Sequence, residues 1–381
     1  MNILYISRTF LPSDKTHTLS ILRLCLAFRE KGHNVILTGK TKSKNPVNVF
    51  QHYGIDEKFK IKSKYINSIF TSRYSIKFYL DSIILAFFNK KVINKYKPDI
   101  IYSRLTLFEL FLVPRNIPII YEMHGPGPIE KWYIKPFFIF LLRIKTFKKI
   151  ATTNEMTANY LREYLINTKI EVIRLSIDEP IEISKEEALM FSRTQMKGEN
   201  FKYHIGYTGN MDNYGLRGVD IIPKIASKMP HCFFHIVGGN KEMVEYHKSI
   251  NDKYNVNNNI YFYGYRKQNE MPMFLANLDI VLAPLQLKKK KKFYYGMSPL
   301  KLPQYMSYGK AIVASDIPAH NEILKDSENA LLAIDHDINS WVVAINKLIE
   351  DNVLKKHIEL NAKQDYYKNH TQNVRVDKIL S

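Results

Sequence analysis

The chain has 381 residues, 45% of them hydrophobic and 24% charged, which suits two ordinary globular domains and excludes a disordered or fibrous chain. Fifty-six Lys and Arg against 36 Asp and Glu leave a formal net charge of +20. Phosphorylated substrates, an anionic membrane face and nucleic acid are the partners such a charge suits, beside a plain compositional drift toward Lys, Asn, Ile and Tyr.

The first ten residues, MNILYISRTF, form too short an apolar run for a secretory signal and read as a first strand. Further strands are expected at 35–38, 99–103, 117–123, 149–153 and 170–175, after a first one at 3–6. Residues 176–201 are polar, show no sheet strand and mark a seam. Strands resume at 203–210, 232–239, 259–265, 278–285, 311–316 and 330–334. These runs are continuously apolar, as parallel strands buried on both faces require, and they alternate with helical patterns. Twelve strands exceed one compact sheet. The expected fold class is therefore α/β, with two doubly wound Rossmann-like domains facing across a cleft. The N-terminal domain is expected at 1–178 with a returning C-terminal helix at 365–381, and the second domain at 179–364. Cys25 and Cys232 sit in apolar periodic segments and read as core thiols in a reducing compartment. No uninterrupted apolar run reaches membrane-spanning length, so a cytoplasmic protein is expected.

Two stretches carry chemistry. In GMSPLKLPQYMSYGK, Ser298 suits an N-cap, Pro299 the first helical position and Gly309 the residue just past the helix end. Free N–H groups at such a helix mouth, with Lys301 in the first turn, would hold a phosphate or diphosphate. A merely well-capped helix has the same pattern, and on this segment alone the two readings stand level. In GYTGNMDNYGLRGVD a strand ends at Gly209, and Gly215 and Gly218 would let backbone approach a ligand closely. Arg217 there offers a planar fork for phosphate, although an ordinary strand–turn–helix looks alike. Both stretches follow strands of the second domain, at the carboxyl ends where open α/β sheets hold ligands.

In this order, GYTGN with LRGVD, FFHIVGG, NIYFYGY and SPLKLPQYMSYGKAIVASDIPAHNEIL resemble the donor-binding domain of retaining family 4 glycosyltransferases, GT-B enzymes that use nucleotide-sugar donors. ILYISRTFLPS, LCLAFREKGHNVILTGK and IPIIYEMHGP resemble the matching acceptor-binding domain, so the resemblance covers nearly the whole chain. It implies a donor site made by Gly209, Asn210, Arg217, Tyr265, Arg266, Ser298, Pro299, Leu300, Lys301 and Gln304. Arg217 and the stretch from Ser298 to Lys301 would hold the diphosphate, Gln304 the ribose, and Tyr265 and Arg266 would follow the strand facing the base. His124 matches the family histidine near the transferred sugar and is the candidate catalytic residue. The chain departs from the family pattern where Gln304 replaces a glutamate, Gly296 stands in place of its paired glutamate and Asn210 replaces an arginine. An amide can still bond two ribose hydroxyls, donating through nitrogen and accepting through oxygen. PSDKTHTLS also lacks the paired glycines usual before the first helix.

The resemblance implies a metal-independent transfer of a sugar, with retention and without a protein nucleophile, onto a glycan or lipid-linked saccharide in bacterial surface polysaccharide (capsule or lipopolysaccharide) biosynthesis. No cofactor and no nucleic acid are expected. KWYIKPFFIFLLRIKTFKKI mixes bulky apolar residues with cations, which suits an interfacial helix on an anionic membrane surface, or equally a core helix with snorkelling lysines. Thr16, His17, Lys131, Trp132, Arg143 and Lys145 are the candidate acceptor or membrane residues, for a peripheral protein on the inner face of the cell membrane. Two alternatives stay open: a catalytically decayed homologue acting as a membrane-associated partner subunit, and a nucleotide-sugar epimerase of the same fold.

Overall fold

The computed structural model describes the chain except for residues 14–15, 45–47, 67–75, 105–109, 126–131, 134, 145–146, 166, 213–214, 255, 257 and 287–298. The chain forms two compact units. The first comprises Met1–Leu175 and Gln372–Ser381, and the second Ser176–Lys291 and Pro299–Thr371.

The first unit runs β1 (Asn2–Phe10), α1 (Thr16–Glu30), β2 (Asn34–Thr41), α2 (Val49–Tyr53), β3 (Lys60–Tyr65), α3 (Ile76–Tyr96), β4 (Ile100–Ser103), β5 (Ile119–Met123), α4 (Lys135–Ile144), β6 (Phe147–Thr152), α5 (Glu155–Arg162) and β7 (Ile170–Val172). Its described strands form one parallel sheet in the order β3-β2-β1-β4-β5-β6-β7. Ile3 of β1 pairs with Val35 on one side and Ile100 on the other. The chain thus winds outward from β1 and then reverses to β4. Successive residues of β1 serve opposite layers, as the pleat demands. Ile3 and Tyr5 join Leu22, Cys25 and Phe28 of α1 on one face. Leu4 and Ile6 join Val92 of α3, Phe138 and Leu141 of α4 and Leu161 of α5 on the other.

The second unit continues with α6 (Lys185–Gln195), β8 (Tyr203–Thr208), α7 (Ile222–Lys228), β9 (Cys232–Val237), α8 (Lys241–Tyr254), β10 (Ile260–Gly264), α9 (Met271–Ala276), β11 (Ile280–Ala283), α10 (Lys301–Ser307), β12 (Ala311–Ser315), α11 (Pro318–Asn321), β13 (Leu331–Ala333), α12 (Ile338–Glu350) and α13 (Asn352–Asn369). Its parallel sheet has the order β10-β9-β8-β11-β12-β13. Here the winding reverses between β8 and β11, which makes their carboxyl ends the topological switch point of the unit. The last helix, α14 (Gln372–Leu380), belongs to the first unit and buries Val376 and Ile379 against α1 and β2.

Three sequence expectations differ from this architecture. The strand β3, KIKSKY, was not expected, because at the sheet edge its lysines alternate into solvent and no apolar run marks it. The chain returns to the first unit at Gln372 rather than at 365. Unbroken α13 keeps Ile358, Ala362 and Tyr366 in the core of the second unit, where the Tyr366 hydroxyl donates to the Asp178 carbonyl at 2.9 Å. The stretch read as a seam belongs to the second unit. It holds α6, started by a capping box in which Ser184 and Glu187 bond each other's backbone N–H.

Candidate functional site

The switch point of the second unit gathers Gly209, Arg217 and Lys301. β8 ends at Thr208, whose backbone N–H donates to the Tyr305 hydroxyl at 2.8 Å; burial pushes that phenol up to about 12. Tyr305 lies on α10, so this bond ties the helix to the strand end. Beyond it, Gly209 takes φ +138° and leaves open the space that a side chain would fill. A Cβ there would stand 3.4 Å from Lys301 Nζ.

Lys301 is the first residue of α10, and its ammonium lies 3.6 Å over the Tyr207 ring. Its Nζ is inaccessible to solvent and has no hydrogen-bond partner among the described residues. Burial, with the Arg217 guanidinium as a like charge, pushes the Lys301 ammonium well below the usual lysine range. A buried cation that lacks a bond is costly, and an anion beside Lys301 would remove most of that cost.

Arg217 is placed by Asp212, whose carboxylate accepts the backbone N–H groups of Leu216 at 3.0 Å and Arg217 at 2.9 Å. The Arg217 guanidinium stays half-exposed, 4.0 Å from the same carboxylate. Gly218 follows with φ +66°, and a Cβ there would stand 2.9 Å from the Pro284 carbonyl carbon, so only glycine fits this close turn. Asn210 is exposed; its carbonyl accepts from the Tyr207 hydroxyl at 2.6 Å.

The helix expected from Ser298 onward begins later. Ser298 and Gly296 lie outside the described residues, α10 starts at Lys301, and its N-cap is Leu300 without a side-chain bond. Pro299 contributes one turn through its carbonyl, which accepts from Leu302 N–H at 3.0 Å. Gly309 ends the helix as read from sequence. At φ +58° it donates to the Met306 carbonyl while Lys310 donates to that of Tyr305, the paired bonds of a Schellman motif. Gln304 is half-buried on α10, and its carboxamide makes no hydrogen bond among the described residues. Tyr265 is exposed after β10, and Arg266 pairs with Glu270 at 3.5 Å.

In the first unit, His124 stands just beyond β5 in a charge network. Glu122, two residues earlier and buried, accepts from the Tyr102 hydroxyl, from His124 Nε2–H and from Arg375 Nη2 at 2.8 Å. Arg104 Nη2 lies 3.3 Å from His124 Nδ1. A guanidinium only donates, so Nδ1 accepts and the ring proton sits on Nε2. Burial, together with Arg104 and Arg375, outweighs Glu122 and keeps the imidazole below its ordinary range, in the neutral form. Both ring nitrogens are therefore engaged. The sequence reading missed Glu122, Arg104 and Arg375. Only Glu122 left a signal, since its spacing of two puts it on the His124 side of the strand.

Of the acceptor or membrane candidates, Lys131 and Lys145 lie outside the described residues. Thr16 and His17 open α1 rather than sitting in a loop before it, and the His17 side chain is exposed. Trp132 is 83% exposed, and Arg143 is exposed near the end of α4. The segment 131–150 is not one interfacial helix. After α4 its last residues enter β6, where the sheet needs a strand between β5 and β7.

The Glycosyl transferases group 1 family model matches residues 202–351, and the Glycosyltransferase Family 4 model residues 18–179. An uncharacterized glycosyltransferase of Methanocaldococcus jannaschii, MJ1069, is 28% identical over 224 residues, which are 57% of this chain; the match spans only 54% of that relative's length. Among solved structures, Anabaena HepE in complex with UDP-glucose superposes with a TM-score of 0.71 at 14% identity, covering 100% of this chain and 98% of that one. The lipopolysaccharide outer core galactosyltransferase WaaB, in its apo form, gives 0.67 at 15% identity, covering 99% and 100%. At these identities the likeness speaks for the fold. With the two family matches lying one in each half of the chain, the protein belongs to the group 1, family 4 glycosyltransferases of GT-B fold.

Proposed function

We propose that this protein transfers a sugar from a nucleotide-sugar donor, with retention of configuration, to a glycan or lipid-linked saccharide in the assembly of a bacterial surface polysaccharide. The observation that carries the proposal is the buried Lys301 ammonium at the switch point, which has no hydrogen-bond partner among the described residues, with Arg217 as a second cation. A nucleotide-sugar donor breaks its anomeric C–O bond in the transfer, and negative charge grows on the departing diphosphate. Cations already in position stabilise that charge without reorganising. Lys301 and Arg217 fill this role, and no step is assigned to a metal ion. Gln304, whose carboxamide makes no hydrogen bond among the described residues, holds the ribose hydroxyls. His124 orients the transferred sugar, exchanging one of its two present bonds for a sugar hydroxyl. The UDP-glucose bound to HepE and the outer-core acceptor in the name of WaaB support a uridine donor and a surface-glycan acceptor. A lipid-linked acceptor would bring the protein to an anionic membrane surface.

Titration calorimetry with a panel of nucleoside diphosphates and nucleotide sugars tests the donor site. Selective binding of one diphosphate, weakened in both Lys301→Ala and Gln304→Ala, is expected. A folded protein that binds none of them would overturn the reading in favour of a noncatalytic homologue.

A further inference from the structure

Along α3 the exposed apolar side chains are Leu80 at 54%, Ile83 at 50%, Ile84 at 44% and Phe87 at 56%. Exposed Lys90, Lys91 and Lys95 continue the same steps of three and four, so all seven lie on one face of the helix. The opposite face is buried. Leu85, Val92 and Ile93 enter the core, and Ser82 accepts from Arg8 Nη1 at 2.7 Å. The one acidic residue of α3, Asp81, is also buried, so no carboxylate stands on the outward face. Apolar and cationic groups are thus separated along the helix axis rather than around it. α4 packs on the same side of the sheet through Phe138, Leu141 and Leu142, and it turns Phe140 and Arg143 outward.

We infer that the outward face of α3 docks this protein on an anionic lipid leaflet; the inference rests on the reading of its acceptor as lipid-linked. Leu80, Ile83, Ile84 and Phe87 enter the headgroup–acyl boundary, and the lysines further along the helix meet lipid phosphates. The helix therefore lies tilted, its N-terminal half deeper. Among the described residues no helix is long and apolar enough to cross a membrane. A second copy of the chain fits this face worse. Two such faces would set lysines against lysines or against the apolar half, with no carboxylate to receive them.

Sedimentation with phosphatidylcholine vesicles, with and without phosphatidylglycerol, at low and high salt, tests the inference. The variants are Ile83→Asn with Phe87→Asn, Lys90→Glu with Lys91→Glu, and Lys356→Glu as a control on the exposed side of α13. The wild type and the control should bind the phosphatidylglycerol vesicles at low salt. Each α3 pair should weaken that binding at least about tenfold, with nucleoside diphosphate binding unchanged as proof of an intact fold. Equal binding by wild type and α3 variants would overturn the assignment to α3 while leaving the lipid-linked acceptor standing. A wild type that ignores anionic vesicles would overturn the docking itself, and diphosphate calorimetry would still judge the donor site separately. Loss of a wild-type dimer in the α3 variants would overturn it in favour of a second copy.

Discussion

Arg375, six residues from the C-terminus, reaches the buried carboxylate of Glu122 at the end of β5 and bonds it at 2.8 Å. The side chains are 3% and 1% exposed, so neither charge has water to fall back on. Removing Arg375 takes away the counter-charge bonded to Glu122 and leaves Arg104 Nε, at 3.6 Å, as the cation beside it. Arg375→Met should therefore destabilise the first unit by about 3–5 kcal/mol. Adding Glu122→Gln should recover part of the loss, because the carboxylate charge is then gone. Urea denaturation followed by circular dichroism measures both; a single variant as stable as the wild type would show that the pair contributes nothing.

The same carboxylate sets an acid limit. Burial alone would raise Glu122, but Arg375 and His124 outweigh it and hold the carboxyl below the usual glutamate range. A depressed folded value means that the stabilisation is complete above the unfolded value, about 4.3, and is lost as pH falls through the lower folded one. Unfolding free energy measured from pH 7 down to pH 3 should thus steepen below about 4.3 in the wild type. Glu122→Gln should lose that part of the slope. Parallel curves would remove Glu122 from the acid response.

Much of this was legible in the sequence, for reasons visible in particular residues. Apolar runs such as CFFHIV of β9 announce buried parallel strands because both faces are covered. Gly309 ended its helix as expected because only a residue tolerant of positive φ closes that motif cheaply. Lys301 and Arg217 were legible as cations beyond the strand ends, and the structure brings them near each other. The Tyr207 ring beneath Lys301 was not legible, since it is also a plausible core residue of β8. Arg375 was still less so, because a pairing across 253 positions leaves no local trace in one sequence.

The glycines beside the site differ in what they can tolerate. Gly238 takes φ +132°, and a Cβ there would lie 1.9 Å from the Gly209 carbonyl oxygen. That carbonyl cannot move alone, because Gly209 N–H is bonded to the Val237 carbonyl at 2.9 Å and Lys301 lies alongside. Gly238→Ala should cost about 2–4 kcal/mol and weaken diphosphate binding as well. Gly54, at φ +62° with nothing near its missing Cβ, is the control. Gly54→Ala carries only the backbone penalty, about 1 kcal/mol. Equal melting shifts in the two variants would refute the steric argument.

Lys301 should oppose stability in order to serve binding. Its ammonium is buried over the Tyr207 ring without a hydrogen-bond partner among the described residues, so the near-isosteric Lys301→Met should raise the stability of the free protein by about 1–3 kcal/mol. The same change should weaken nucleoside diphosphate binding about 10- to 100-fold, the worth of one charge-assisted bond. Because the folded value is depressed, the folded protein binds fewer protons than the unfolded chain between that value and about 10.4. Lys301 should therefore make wild-type stability rise with pH across that window, and Lys301→Met should lose that part of the rise, keeping what buried Lys310, pulled down to about 8, contributes. A bound diphosphate reverses the shift by stabilising the charged form, so binding above the folded value must take up a proton. Calorimetry in two buffers of different ionisation enthalpy reads that proton directly. Uptake in the wild type and none in Lys301→Met places the diphosphate on the Lys301 ammonium; identical uptake in both would place it elsewhere.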